Sequence, residues 1–179
     1  MVYSTEEDGE FIKDKVFKSI QHPNEPLASK WNRGVRELES IDFDAVIFLG
    51  SDDYIDEAFI EFAKEQTKEF DFIGFKDLYF EHNKELWWWC GYKGHREGEP
   101  SGAGKIYTKE LLEKMDYDLF GESSNRSLDG VSWARTKKFK RKQLITTLRQ
   151  NNLFCCDVKD GLGMTDIKNI PNVRKADHL

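Results

Sequence analysis

The sequence predicts one α/β domain built on a mixed, mostly parallel sheet with helices on both faces. Three observations predict it. Ala45-Val46-Ile47-Phe48-Leu49 is an unbroken apolar run, the pattern of a strand covered on both faces. Leu27, Trp31, Val35 and Leu38 before it, and Ile55, Ala58, Phe59, Phe62 and Ala63 after it, fall at helical spacing. Strand signals then return further along, so helices and strands alternate rather than segregate.

In chain order, Val2-Tyr3-Ser4 reads as a short strand, followed by an acidic turn at Glu6-Glu7-Asp8-Gly9. Val16 to Ile20 reads as a second strand. His22-Pro23-Asn24-Glu25-Pro26 breaks the chain and offers Asn24 as N-cap of a helix that turns Leu27 and Trp31 inward. The apolar strand stops at Gly50-Ser51-Asp52-Asp53, at the carboxyl end of a strand where open α/β sheets gather ligands. Phe70 to Phe80 and Leu86 to Tyr92 read as strands around the polar turn Glu81-His82-Asn83-Lys84. Within the second, Trp87-Trp88-Trp89 must alternate across the strand, so that core rings and a cleft-facing ring are both expected. Gly94 to Gly104 reads as a mobile loop. Thr108 caps a helix carrying Leu111, Leu112 and Met115, another helix starts near Leu128-Asp129, and Leu153 to Val158 is a late strand. Residues 161–179 read as an irregular tail to a single domain spanning 1–179.

At 179 residues, with 39% hydrophobic and 34% charged, the chain suits one globular domain. No apolar run approaches the roughly 20 residues of a membrane span, and the acidic start from Met1 to Glu10 is unlike a signal peptide. A cytoplasmic location is the expectation. Cys90, Cys155 and Cys156 form no disulfide framework and read as reduced thiols. His22, His82, His95 and His178 are too scattered for a zinc site. The net charge of -6 argues against nucleic acid as a partner. The basic run Arg135, Lys137, Lys138, Lys140, Arg141, Lys142 is the pattern of a solvated helix face. Gly98 to Ile106 lacks the first glycine and the Ser/Thr of a phosphate-binding P-loop.

The chemistry concentrates at Asp52 and Asp53. Two adjacent carboxylates at a strand end repel one another unless a cation or hydrogen-bond donors meet them. Hard oxygen ligands of this kind favour Mg²⁺ or Mn²⁺ shared with substrate phosphates. The residues are equally consistent with an ordinary turn in which one aspartate caps the following helix.

Asn24-Glu25-Pro26-Leu27-Ala28-Ser29-Lys30-Trp31-Asn32-Arg33-Gly34, followed by Ala45 to Asp53, resembles the middle of a family 2-type glycosyltransferase with the GT-A (Rossmann-like) fold. There a helix ending in Asn-x-Gly precedes an apolar strand that ends in a DxD-like motif. Gly102-Ala103-Gly104-Lys105-Ile106-Tyr107 resembles the family's small-residue acceptor loop, and Leu128-Asp129 its catalytic-base position. The likeness covers residues 24–135. It implies a Mn²⁺- or Mg²⁺-dependent, inverting transfer of a sugar from a nucleotide-diphosphate donor to a hydroxyl acceptor. Asp53 would hold the metal, and Asp52 the donor ribose or the metal. Lys30 and Asn32 would bind the donor, and Asp129 would act as base. The chain has Gly50 where the family motif often has an acidic residue. Val2-Tyr3-Ser4 matches the family's second strand, so the usual first strand has no counterpart here. An exposed sheet edge left that way would favour a homo-oligomer. Two other readings stand beside this one. A nucleotidyltransferase would need a Gly-rich loop near its first strand. A shortened, inactive GT-A-like module would bind a glycan or partner protein without turnover.

Overall fold

The computed structural model describes residues 1–159 and 167–176. In chain order its first elements are β1 (Val2–Tyr3), α1 (Glu6–Ile12), β2 (Ile20–Gln21), α2 (Leu27–Glu37) and β3 (Ala45–Phe48). Next come β4 (Asp53–Ile55), α3 (Glu57–Gln66), β5 (Phe72–Phe75), β6 (Leu78–His82), β7 (Glu85–Trp89) and β8 (Lys105–Thr108). The last are α4 (Lys109–Lys114), α5 (Leu128–Thr136), β9 (Gln143–Thr146), β10 (Cys155–Lys159) and β11 (Val173–Lys175). The protein is mixed α/β. No helix among the described residues is long and apolar enough to cross a membrane.

Where the sequence predicts one domain, the chain divides into two compact units. The first comprises Met1–Phe43 and Lys109–Lys140; the second runs from Asp44 to Thr108 and resumes at Arg141.

In the first unit β1 and β2 form a parallel pair, with the second strand falling at Ile20–Gln21, at the end of the predicted segment. Helix α2 forms as its spacing requires, but its buried stripe is Ala28, Asn32 and Val35, one position round from Leu27 and Trp31. The reason is polar. Asn32 is fully buried and its amide is saturated: Nδ2 donates to Asp118 Oδ1 (2.6 Å) and the Gly121 carbonyl (2.8 Å). Its Oδ1 accepts from Leu119 N (3.0 Å) and Phe120 N (2.9 Å). Arg135 from α5 then clamps the Asp118 carboxylate and carbonyl. Trp31 packs against Phe120 instead of entering the core, ring centroids 5.5 Å apart. The cap of α2 is also remote. Asn125 Oδ1 accepts from Leu27 N at 2.7 Å, while Asn24 accepts from Lys30 Nζ.

The second unit holds a four-stranded sheet of order β3-β8-β5-β9 and a five-stranded sheet of order β11-β7-β6-β10-β4. The predicted long strand from Phe70 to Phe80 is cut at Lys76-Asp77 into β5 and β6, which belong to different sheets. Buried Asp77 fixes the break: its carboxylate accepts from Leu148 N (2.6 Å), Arg149 N (3.4 Å) and Trp88 Nε1 (3.0 Å). Among the described ladders, β5–β9 and β6–β10 are parallel in this unit and five pairings are antiparallel. β3 pairs with β8 alone, antiparallel and half-buried, so it is an edge strand rather than one covered on both faces. Its apolar run meets the core, where Phe59, Ile73, Phe75, Ile106 and Leu148 are buried. β11 pairs with β7, giving order to part of the stretch that the sequence reads as an irregular tail. The rest of that stretch, including His178, lies outside the described residues.

Candidate functional site

The turn after β3 is shaped by Gly50. Its N–H donates to Asp53 Oδ2 at 2.5 Å, and its carbonyl accepts from Asp53 N at 3.4 Å. A Cβ at residue 50 would sit 2.8 Å from Asp52 Oδ1 and 3.1 Å from Asp53 Oδ2. No side chain fits there without moving both carboxylates, which gives a physical reason for glycine where the resembling family often carries an acid. Neither aspartate caps the next helix: Asp56 caps α3, accepting from Phe59 N at 2.9 Å.

Strand β4 leaves the turn and pairs antiparallel with β10, which sets Asp157 opposite Asp53. Asp52, Asp53 and Asp157 thereby each offer a carboxylate oxygen within 4.8 Å of the others. Lys159, two residues along β10 and so on the same face, donates to Asp157 Oδ2 at 2.5 Å. Asp157 Oδ1 is buried with no hydrogen-bond partner among the described residues. Burial pushes the Asp53 carboxyl from 3.8 up to about 6, and the charges of Asp157 and Asp52 push the same way against the Gly50 N–H and Lys159. Burial also raises Asp157, with Lys159 opposing. Three carboxylates against one ammonium leave two negative charges in a partly desolvated pocket. Oxygen-only donors, an orphaned carboxylate oxygen and a surplus of two charges fit a hard divalent cation.

The cluster borders a cavity of about 610 Å³ in the second unit, lined by Leu78, Phe80, Trp89 and Tyr92 along with Lys93 and Ser101 to Ala103. Trp89 is the buried tryptophan of the triplet and packs edge-on to Tyr92, centroids 4.6 Å apart. The segment read as a mobile loop is anchored at its distal end. Pro100, Ser101 and Gly104 are buried, and Ser101 N donates to the Phe75 carbonyl at 2.7 Å.

Compared with known proteins, the sequence matches no family model, and no curated protein matches it significantly. The functional reading therefore rests on the residues themselves.

Lys30, Asn32 and Asp129 belong to the first unit, Asp52 and Asp53 to the second. Lys30 Nζ donates to Ser4 Oγ (2.8 Å) and Asn24 Oδ1 (3.1 Å), and partial burial holds its pKa below the usual lysine value against the pull of Asp8. The saturated Asn32 amide has no donor or acceptor left for a ligand, and Gly34 lies against β1, where a Cβ would meet Val2 at 2.7 Å. This corrects the donor-binding role that the resemblance implies for Asn32: the Asn-x-Gly segment serves packing. Asp129 sits half-buried in the first turn of α5, its carbonyl accepting from Ser132 Oγ at 3.0 Å. Asp157 and Lys159 are the residues of the cluster that local sequence gave least reason to choose. Their only signal is the charge alternation that ends an otherwise buried strand.

Proposed function

We propose that the protein is a divalent-cation-dependent glycosyltransferase of GT-A type, with the Asp52–Asp53–Asp157 cleft as its donor-diphosphate site. The observation that carries the reading is the convergence of those three carboxylates, one with an unpartnered buried oxygen, on a pocket walled by Phe80 and Trp89. Asp53 and Asp157 would hold the cation, Mn²⁺ or Mg²⁺, with Asp52 either a third ligand or a partner for the donor ribose. Bound there, such an ion neutralises charge on a departing diphosphate. Lys159 keeps Asp157 in place and adds positive charge beside it. The apolar wall excludes water from the anomeric carbon, and Gly102 and Ala103 let an acceptor approach closely. The resemblance assigns the base to Asp129. Its carboxylate would take the acceptor hydroxyl's proton as the new C–O bond forms and the donor C–O bond breaks, the electron pair leaving with the nucleoside diphosphate. General-base assistance of this kind contributes about 10²–10⁴-fold.

The test is thermal stability with a panel of nucleoside diphosphates and nucleotide sugars, with and without Mn²⁺. Metal-dependent stabilisation by one nucleotide family supports the reading. No shift with any nucleotide replaces it with a binding module that does not turn over.

A further inference from the structure

Register divides the side chains of the five-stranded sheet between two faces. Asp53, Asp157, Phe80, Trp87 and Lys175 stand in one cross-strand rank, on the face that carries Asp53 and Asp157 into the cleft. The adjacent rank, Tyr54, Cys156, Tyr79, Trp88 and Arg174, points the opposite way. That second face has no part in the proposed transfer, and its composition is unusual.

At one end two guanidinium groups gather on a single indole. Arg149 and Arg174 each lie 4.4 Å from the Trp88 ring centroid. Both arginines are exposed, and among the described residues neither has a carboxylate at salt-bridge distance. Trp88 is itself fixed by its bond to buried Asp77, so the stacked guanidiniums are held with their donor edges free to bind. At the other end the face is aromatic and uncharged. Phe154 packs between Tyr79 (5.2 Å) and Tyr54 (6.1 Å), and Tyr54 is 58% exposed. Four strand spacings separate Arg174 from Tyr54, about 19 Å.

We infer that this face docks a carbohydrate chain bearing an anionic group, the anion on Arg149 and Arg174 and the sugar rings over Phe154 and Tyr54. Bidentate guanidinium contacts suit a carboxylate, sulfate or phosphate, and aromatic faces suit the apolar side of a sugar ring. A nucleic acid fits less well. Its regularly spaced phosphates would run past the uncharged end, where exposed Glu81 stands beside Val158, on a chain of net charge -6. The inference needs no transfer chemistry and stands or falls apart from the cleft.

Isothermal titration of the full chain with a short oligogalacturonate tests it, with a neutral maltooligosaccharide and oligo(dT) as comparison ligands. The expected result is binding of the oligogalacturonate above both comparisons. It should weaken about tenfold or more in Arg149→Gln/Arg174→Gln, weaken in Tyr54→Ala, and stay unchanged in Asp53→Ala. Tyr54→Ala reads the same face should the double variant fold poorly. Absence of oligogalacturonate binding, equal binding in the arginine and Tyr54 variants, loss of binding in Asp53→Ala, or tighter binding of oligo(dT) would each overturn the inference.

Discussion

Replacing Asn32 by alanine separates a packing role from a ligand-binding one. The substitution strands the N–H groups of Leu119 and Phe120, both of which donate to Asn32 Oδ1 inside the first unit. It also removes the donor to the Gly121 carbonyl and one of the donors to Asp118 Oδ1, which keeps Gly121 N at 3.1 Å. A buried group left without a partner costs about 1–3 kcal/mol. The two stranded amides alone therefore suggest about 2–6 kcal/mol, and some relaxation of the loop brings the expectation to about 4 kcal/mol. Arg135 would lose its fixed target as Asp118 loosens, so the damage should spread to α5. Urea unfolding followed by tryptophan fluorescence reads this directly, because Trp31 and Trp133 belong to the same unit. A variant within about 1 kcal/mol of the parent, below even one stranded amide, but deaf to nucleotides would refute the reasoning and return Asn32 to the donor site.

Asp53→Asn should stabilise the metal-free protein at neutral pH. The raised carboxyl makes the folded state bind more protons than the unfolded one between pH 3.8 and about 6, so a penalty grows as pH rises through that window and is complete above it. Its ceiling is about 3 kcal/mol. Urea unfolding in chelator should show the gain at pH 7.5 and none below pH 4, and a pH-independent difference would contradict it. Gly50→Ala should leave the fold intact but displace both carboxylates, weakening any Mn²⁺-dependent thermal shift about tenfold in metal concentration. Full Mn²⁺ sensitivity in that variant would show that the turn has room to spare. Cys155 and Cys156 are buried, and burial pushes the Cys156 thiol up to about 12, so mass spectrometry should find native alkylation confined to half-exposed Cys90. Native-state labelling at Cys155 or Cys156 would argue that β10 opens easily.

Local pattern was enough to read the helices at Leu27, Ile55, Leu111 and Leu128, because a 3.6-residue period and a nearby cap are properties of short segments. It was also enough to place the Asp52–Asp53 turn. What it missed depends on partners far away in sequence. Asn125 caps α2 from 98 positions away, and Asp77 cuts a continuous strand signal because its acceptors meet amides at Leu148 and Arg149. The apolar run at Ala45 reads the same whether a strand is central or, as here, at an edge. Asp157 joins the site only through the register of β10 against β4, which no window of sequence contains.

The most direct test of the acidic cleft is electron paramagnetic resonance of Mn²⁺ titrated against the protein, with and without nucleoside diphosphates. The account predicts one bound ion per chain, lost in both Asp53→Ala and Asp157→Ala. Free Mn²⁺ throughout, or binding that survives both substitutions, would contradict it.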